Sequence, residues 1–76
     1  MAVKLNDNLF LINVENFKGA MHEITIGTAM IPDHKPINFT WDVDNTQLMI
    51  HEWYDLTSDE LATLTATLTN YFKSMN

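Results

Sequence analysis

The residues around position 57 place the start of a helix and thereby constrain the whole fold. Thr57 and Glu60 have the spacing of a capping box, in which each side chain accepts a hydrogen bond from the other residue's backbone N–H. Leu56 and Leu61 flank this box at the spacing of a hydrophobic staple. The apolar residues from 61 onward recur every three or four positions and predict one buried helical stripe. That stripe consists of Leu61, Leu64, Leu68, Tyr71, Phe72 and Met75.

The residues before this helix carry strand patterns instead. Residues 37–43 alternate apolar and polar side chains with a period of two, as in a half-buried strand. The four predicted strands are residues 9–14, 21–31, 37–43 and 47–54. Thr65 and Thr69 lower the helix propensity, so the helix must be stabilised by docking on a sheet. We therefore predict one α+β domain over residues 1–76, a four-stranded antiparallel meander with one C-terminal α-helix packed on one face (ββββα).

Two features inside the predicted strands call for a local explanation. Gly27 predicts a bulge or a close backbone approach, because glycine weakens an ordinary strand. Residues 47–54 carry apolar groups on both faces, which predicts a central strand or a face covered in an interface. Trp53 and Tyr54 would point to opposite faces of that strand, since successive side chains alternate.

The charge is high for a short chain and unevenly distributed. The 76 residues hold ten acids and four lysines, without arginine, for a formal net charge of −6. Six of the acids and only Lys73 fall in residues 36–76. Binding to nucleic acid depends on lysine and arginine that neutralise phosphates, so direct nucleic-acid binding is disfavoured, as is an anionic membrane. The same charge favours a basic protein partner.

The absence of cysteine removes thiol nucleophiles, zinc ribbons and redox motifs from consideration. Small secreted domains usually depend on disulfides, so we expect a reducing, cytoplasmic location. The first apolar run, residues 9–12, is shorter than either a signal peptide or a membrane span requires.

The chemical motifs in the chain are incomplete. His51 and Asp55 superficially match the spacing of a metalloprotease motif, which needs two histidines on a helix. Residues 42–46 begin like a calcium loop but lack its glycine and its final glutamate, so we predict a turn at residues 44–45 instead. The three histidines, His22, His34 and His51, are scattered along the sequence. We therefore expect no catalytic residues, no metal site, no cofactor and no enzymatic activity.

The acids and one aromatic residue form the predicted contact surface. Aromatic side chains surrounded by acids are typical of protein contact sites. The predicted partner-binding residues are Asp42, Asp44, Glu52, Trp53, Asp55, Asp59 and Glu60. Because strand residues on one face are about 6.6–6.8 Å apart and DNA phosphates about 3.4 Å, these acids would mimic DNA only partially.

These observations favour a small, acidic, non-catalytic binding protein. The type is common among phage and mobile-element inhibitors, including anti-CRISPR and anti-restriction proteins, although the chain carries no motif of a named family. Such an inhibitor would occlude a basic, nucleic-acid-binding surface of a larger host protein in the host cytoplasm. The alternative is a small structural or assembly protein that acts as a homodimer or larger homo-oligomer, joined through a sheet edge or the open sheet face.

Overall fold

A computed structural model describes residues 2–75 and places five β-strands before one α-helix. The strands form one antiparallel sheet in the order β1-β2-β3-β4-β5, which is a simple meander. The elements are β1 (Val3–Asn6), β2 (Leu9–Lys18), β3 (Glu23–Met30), β4 (Ile37–Asp42), β5 (Gln47–Ile50) and α1 (Ser58–Lys73). The predicted α+β class is confirmed, but the predicted number of four strands is wrong.

The additional strand is β1, at the edge of the sheet. Its four residues place Val3 and Leu5 partly against the core and leave Lys4 and Asn6 exposed. The chain reverses at residues 6–8, where the Asn8 N–H donates a hydrogen bond to Asn6 Oδ1 at 2.8 Å. Four residues are too few for a periodic pattern to be distinct, so pairing with β2 defines this strand.

Two other strands end four residues away from the predicted position, and the remaining two differ by at most two residues at either end. β2 continues to Lys18, so the chain reverses only at residues 19–22, where the Gly19 N–H donates to the His22 carbonyl at 2.8 Å. β5 ends at Ile50 rather than at residue 54, and it is an edge strand rather than a central one. Glu52 has a φ of 52°, a left-handed conformation that turns the chain away from the sheet.

The helix packs its predicted stripe on one face of the sheet. Phe72 lies at the centre of this contact, with its ring 5.5 Å from that of Phe39 and 5.6 Å from that of Trp41. Leu64 and Leu68 are buried beside it. A fully buried side chain of this kind contributes about 1.5–3 kcal/mol. Met75 was predicted in the stripe but is exposed, because the helix ends at Lys73.

The capping box predicted at the start of α1 is confirmed. Thr57 Oγ1 accepts from the Glu60 N–H at 3.1 Å, and Glu60 Oε1 accepts from the Thr57 N–H at 2.8 Å. Leu56, directly before the cap, is buried in the core. The first turn of α1 is therefore fixed by the Thr57–Glu60 hydrogen bonds and by the buried Leu56 before it. This also fixes the position of the residues that lead into the helix.

A bulge in β2 determines what the open face of the sheet presents. The register of β2 against β3 shifts between Ile12 and Glu15, and Asn13 has a φ of 54°. Phe10 and Phe17 are an odd number of residues apart and would point to different faces of a regular strand. The bulge places both on the same face, where they pair with Met30 and Ile24 of β3. Without the extra residue, Phe17 would point towards the helix.

Gly27 is required because side chains approach its backbone closely, as one of the two predicted explanations holds. The bulge lies in the neighbouring strand, β2, and not at Gly27. A Cβ atom at this position would lie 2.7 Å from Cζ of Phe39 and 3.2 Å from a methyl group of Val14. Phe39 is buried against Phe72 and cannot retreat. The glycine therefore allows β3 to lie beneath the largest side chains of the core.

No helix among residues 2–75 has the length and apolar character needed to cross a bilayer.

We expect Gly27→Ala to lower the free energy of unfolding by about 1–3 kcal/mol, because the added methyl group overpacks the core. Gly19→Ala is the matched control, since the nearest atom to its Cβ is 3.4 Å away and no glycine has a positive φ. Urea denaturation of both variants measures the difference. Equal stability of the two variants would contradict the assignment of Gly27 to a close approach.

Candidate functional site

The seven predicted contact residues separate into two groups at opposite ends of the sheet. Asp42 ends β4, and Asp44 lies in the turn between β4 and β5. The other five lie beyond the far end of β5, in residues 52–60, which we call the acidic connection. The six residues of β4 extend about 20 Å between these ends. The structure thus presents two acidic surfaces rather than one.

The acidic connection is anchored at its C-terminal half and exposed in its N-terminal half. The Leu56 N–H donates to the Trp53 carbonyl at 3.0 Å, which closes a turn. Leu56 is buried in the core, and Thr57 begins the helix. Trp53 and Tyr54 therefore project from a loop that is held at its base.

Trp53 and Tyr54 form an exposed aromatic pair. Their ring centroids are 5.5 Å apart with an interplanar angle of 36°. Trp53 is 44% exposed and Tyr54 is 82% exposed. The expectation that they point to opposite faces of a strand is wrong, because β5 ends before them. Trp53 also borders a shallow groove along α1, where Leu61, Thr65 and Thr69 lie.

His34 ties the acidic connection to the loop between β3 and β4. Its Nε2 lies 2.8 Å from Glu60 Oε2, and its Nδ1 lies 3.3 Å from Asp55 Oδ2. The Lys35 N–H also approaches Asp55 Oδ2, at 3.4 Å. Both ring nitrogens face carboxylate oxygens, and only the protonated imidazole can donate to both. The arrangement therefore favours a charged His34.

The pKa values of this group shift in the direction that the hydrogen bonds require. The hydrogen bond with Asp55, followed by the hydrogen bond with Glu60, raises the pKa of His34 above its usual value of 6.5. The hydrogen bond with His34 is the main cause that lowers the pKa of Asp55. The pKa of Glu60 is lowered first by the Thr57 N–H and then by His34. These three side chains are charged together over the mildly acidic range.

Sequence reasoning missed His34 as part of the site. It is separated from Asp55 by 21 residues and from Glu60 by 26, and no local pattern links them. The available signal was weak, namely a histidine in a loop between two prolines with no other assigned role.

The second acidic surface gathers around another histidine. The carboxylates of Asp42 and Asp44 lie on either side of the His22 ring, with N–O distances of 3.5 and 3.4 Å. Asn45 donates to both Asp42 oxygens, through its backbone N–H at 3.3 Å and its side-chain amide at 2.8 Å. These hydrogen bonds, the side-chain one first, lower the pKa of Asp42. The turn predicted at residues 44–45 is confirmed and fixes this carboxylate.

Comparisons with protein-family models, curated proteins and solved structures found no match for this chain.

The His34 contacts predict a pH-dependent stability. A raised pKa in the folded state adds stability that is complete below about pH 6.5 and is lost as the pH rises through the folded value. The lowered pKa values of Asp55 and Glu60 add stability above about pH 4.5 that is lost on further acidification. We therefore expect stability to fall as the pH rises above about 6.5, and His34→Gln to reduce that fall.

Chemical denaturation of wild type and variant across this pH range measures the effect. His51→Gln is the control, because His51 contacts the hydroxyl of Thr40 rather than a carboxylate. The same pH profile in wild type and His34→Gln would show that the contacts of His34 contribute nothing to stability.

Proposed function

We propose that the protein is a non-catalytic binding protein that docks through its acidic connection on a basic surface of a larger protein and occludes it. The observation that carries this proposal is the exposed Trp53–Tyr54 pair within a segment of four acids. Large aromatic side chains supply much of the binding energy at protein interfaces, and surrounding charges direct the approach.

The charge of the acidic connection supports a basic partner. Residues 52–60 contain Glu52, Asp55, Asp59 and Glu60 and no basic residue. A protonated His34 offsets one of these charges and leaves the segment strongly negative. Such a surface accelerates association with a lysine- and arginine-lined channel and makes affinity depend on salt.

Steric occlusion fits this surface better than extended imitation of DNA. Asp42 and Asp44 are at the other end of the sheet, so the carboxylates do not form one continuous row. Any DNA mimicry is confined to the acidic connection. In this proposal the partner is a nucleic-acid-binding enzyme, and the protein is a phage or mobile-element inhibitor of the anti-CRISPR or anti-restriction type that acts in the host cytoplasm.

Photo-crosslinking from position 54 identifies the partner. Tyr54 is 82% exposed, and a photoreactive residue there would touch any protein docked on the acidic connection. The control position is Met21, which is 95% exposed in the turn at the opposite end of the sheet. We expect a crosslinked partner from position 54 and none from position 21, and equal crosslinking from both positions would contradict this docking site.

Titration against the purified partner, or against a panel of CRISPR and restriction nucleases, then tests the mechanism. Replacing Trp53 and Tyr54 with alanine should weaken binding at least about 30-fold, equivalent to about 2 kcal/mol, while Met21→Ala should leave it unchanged. Raising the salt from about 0.05 M to about 0.5 M should also weaken wild-type binding. Affinity indifferent to salt would remove the electrostatic part of the proposal.

A second candidate function is self-assembly through the open face of the sheet. Phe10, Phe17 and Met49 are each between 43% and 55% exposed on this face. Their cross-strand partners Met30, Ile24 and Thr40 lie on the same face. Together these side chains form an apolar surface that a second copy of the chain would cover.

Light scattering at about 50 µM tests this alternative. A homo-oligomer should dissociate when Phe17 and Met49 are both replaced by lysine, and it should persist in Tyr54→Lys, which alters a residue outside this face. A wild-type protein that is strictly monomeric at this concentration would exclude the alternative.

A further inference from the structure

The side chains at the end of the sheet opposite the acidic connection have the donor atoms of a metal site. We propose that His22, Asp42 and Asp44 bind a divalent transition-metal ion of the zinc type, with water completing the coordination. Each residue offers one ligand atom, and the three atoms lie within 4.8 Å of one another. Among residues 2–75, this is the one group of three or more such side chains whose donor atoms converge in this way.

The distances within the group match the spacing of zinc ligands. With metal–ligand distances of about 2.0–2.2 Å, neighbouring ligands of a tetrahedral ion are about 3.3–3.6 Å apart. His22 Nε2 lies 3.5 Å from Asp42 Oδ1, and the other ring nitrogen, Nδ1, lies 3.4 Å from Asp44 Oδ2. The His22 side chain is 56% exposed, so its ring can turn one nitrogen towards both carboxylates.

The contacts of His34 provide an internal comparison. His34 also lies between two carboxylates, but its 2.8 Å contact with Glu60 is a short charge-assisted hydrogen bond. The two contacts of His22 are both longer, at the outer limit for hydrogen bonds. The His34 group is satisfied by its own hydrogen bonds, whereas the contacts of His22 are too long to satisfy that group in the same way.

The two carboxylates are positioned by the backbone around them. The Glu23 N–H donates to Asp44 Oδ2 at 2.9 Å, and the Val43 N–H donates to the Glu23 carbonyl at 3.1 Å. Asn45 holds Asp42 from the other side. Metal-ligating carboxylates commonly accept such additional hydrogen bonds, which orient them before the ion binds. The two carboxylates therefore require little rearrangement to coordinate an ion, whereas the His22 ring must turn.

The kinds of donor select the class of metal. Imidazole nitrogen suits zinc, copper, nickel and iron, whereas calcium takes six to eight oxygen ligands. Three protein ligands and one water satisfy the four-coordinate preference of zinc. Sequence reasoning did not predict a metal here, because two of the ligands lie in residues 42–44 and are separated from His22 by β3, a loop and β4.

A bound ion would join the turn at residues 19–22 to the turn between β4 and β5. An ion that binds the folded state alone stabilises it by mass action. The site lies at the other end of the sheet from the acidic connection, so it is independent of the proposed function. Metal binding can therefore be measured on the protein alone, without a binding partner.

The probe is Zn²⁺ alone, added to the purified protein at about pH 7.5, because zinc competes with protons for its ligands. We expect the NMR signals of the His22 ring nitrogens to shift with saturation, and the unfolding temperature to rise. Co²⁺ in place of Zn²⁺ should give the visible absorption of a four-coordinate site. His22→Gln and Asp44→Asn should each abolish all three responses.

The variants are chosen to retain the fold. His22 is exposed in a turn, and asparagine at position 44 can still accept the hydrogen bond from the Glu23 N–H. His34→Gln is the matched control, because it removes a histidine that also lies between two carboxylates, and it should bind Zn²⁺ as the wild type does. Zinc binding that survives in His22→Gln, or the absence of a His22 shift at about 1 mM Zn²⁺, would overturn the proposal.

Discussion

The packing of one helix stripe on β4 is the interaction on which the rest of the structure depends. Phe72 contacts both Phe39 and Trp41, and Leu64 and Leu68 complete this layer. A chain of 76 residues has room for one such core, and its margin of stability is small. The remaining elements are placed by the need to cover these side chains. The same packing requires glycine at position 27, since a side chain there would collide with Phe39.

This layer leaves the charged side chains in two groups, one at each end of the sheet. The 16 residues of α1 extend about 24 Å along one face of the sheet, and the charged side chains of the two groups lie in or beside the loops at its two ends. At each end a histidine lies between two carboxylates from distant parts of the chain. His34 contacts Asp55 and Glu60 and holds the acidic connection, whereas His22 faces Asp42 and Asp44 with longer contacts.

Much of the fold could be predicted because its signals are local. The capping box at Thr57, the alternation along β4 and the turn at residues 44–45 each lie within a few residues of sequence. The errors in the predicted strands have one cause, which is that the residue where a strand begins or ends depends on the strand that it pairs with. β1 exists because β2 pairs with it, and β5 stops where Glu52 adopts a positive φ. The candidate site was predicted in part, since the acids were found and the histidine that contacts them was not.

The sequence by itself determined the class of the fold, the start of the helix, the inward face of β4 and the concentration of acids after residue 36, because periodicity, capping and charge act over one turn or one strand. Only the tertiary structure decided that these acids form two surfaces, that Trp53 and Tyr54 stack outside the sheet and that His22 and His34 join different carboxylates. These outcomes depend on strand register and on where β5 ends, which are set by pairing and packing across the whole sheet.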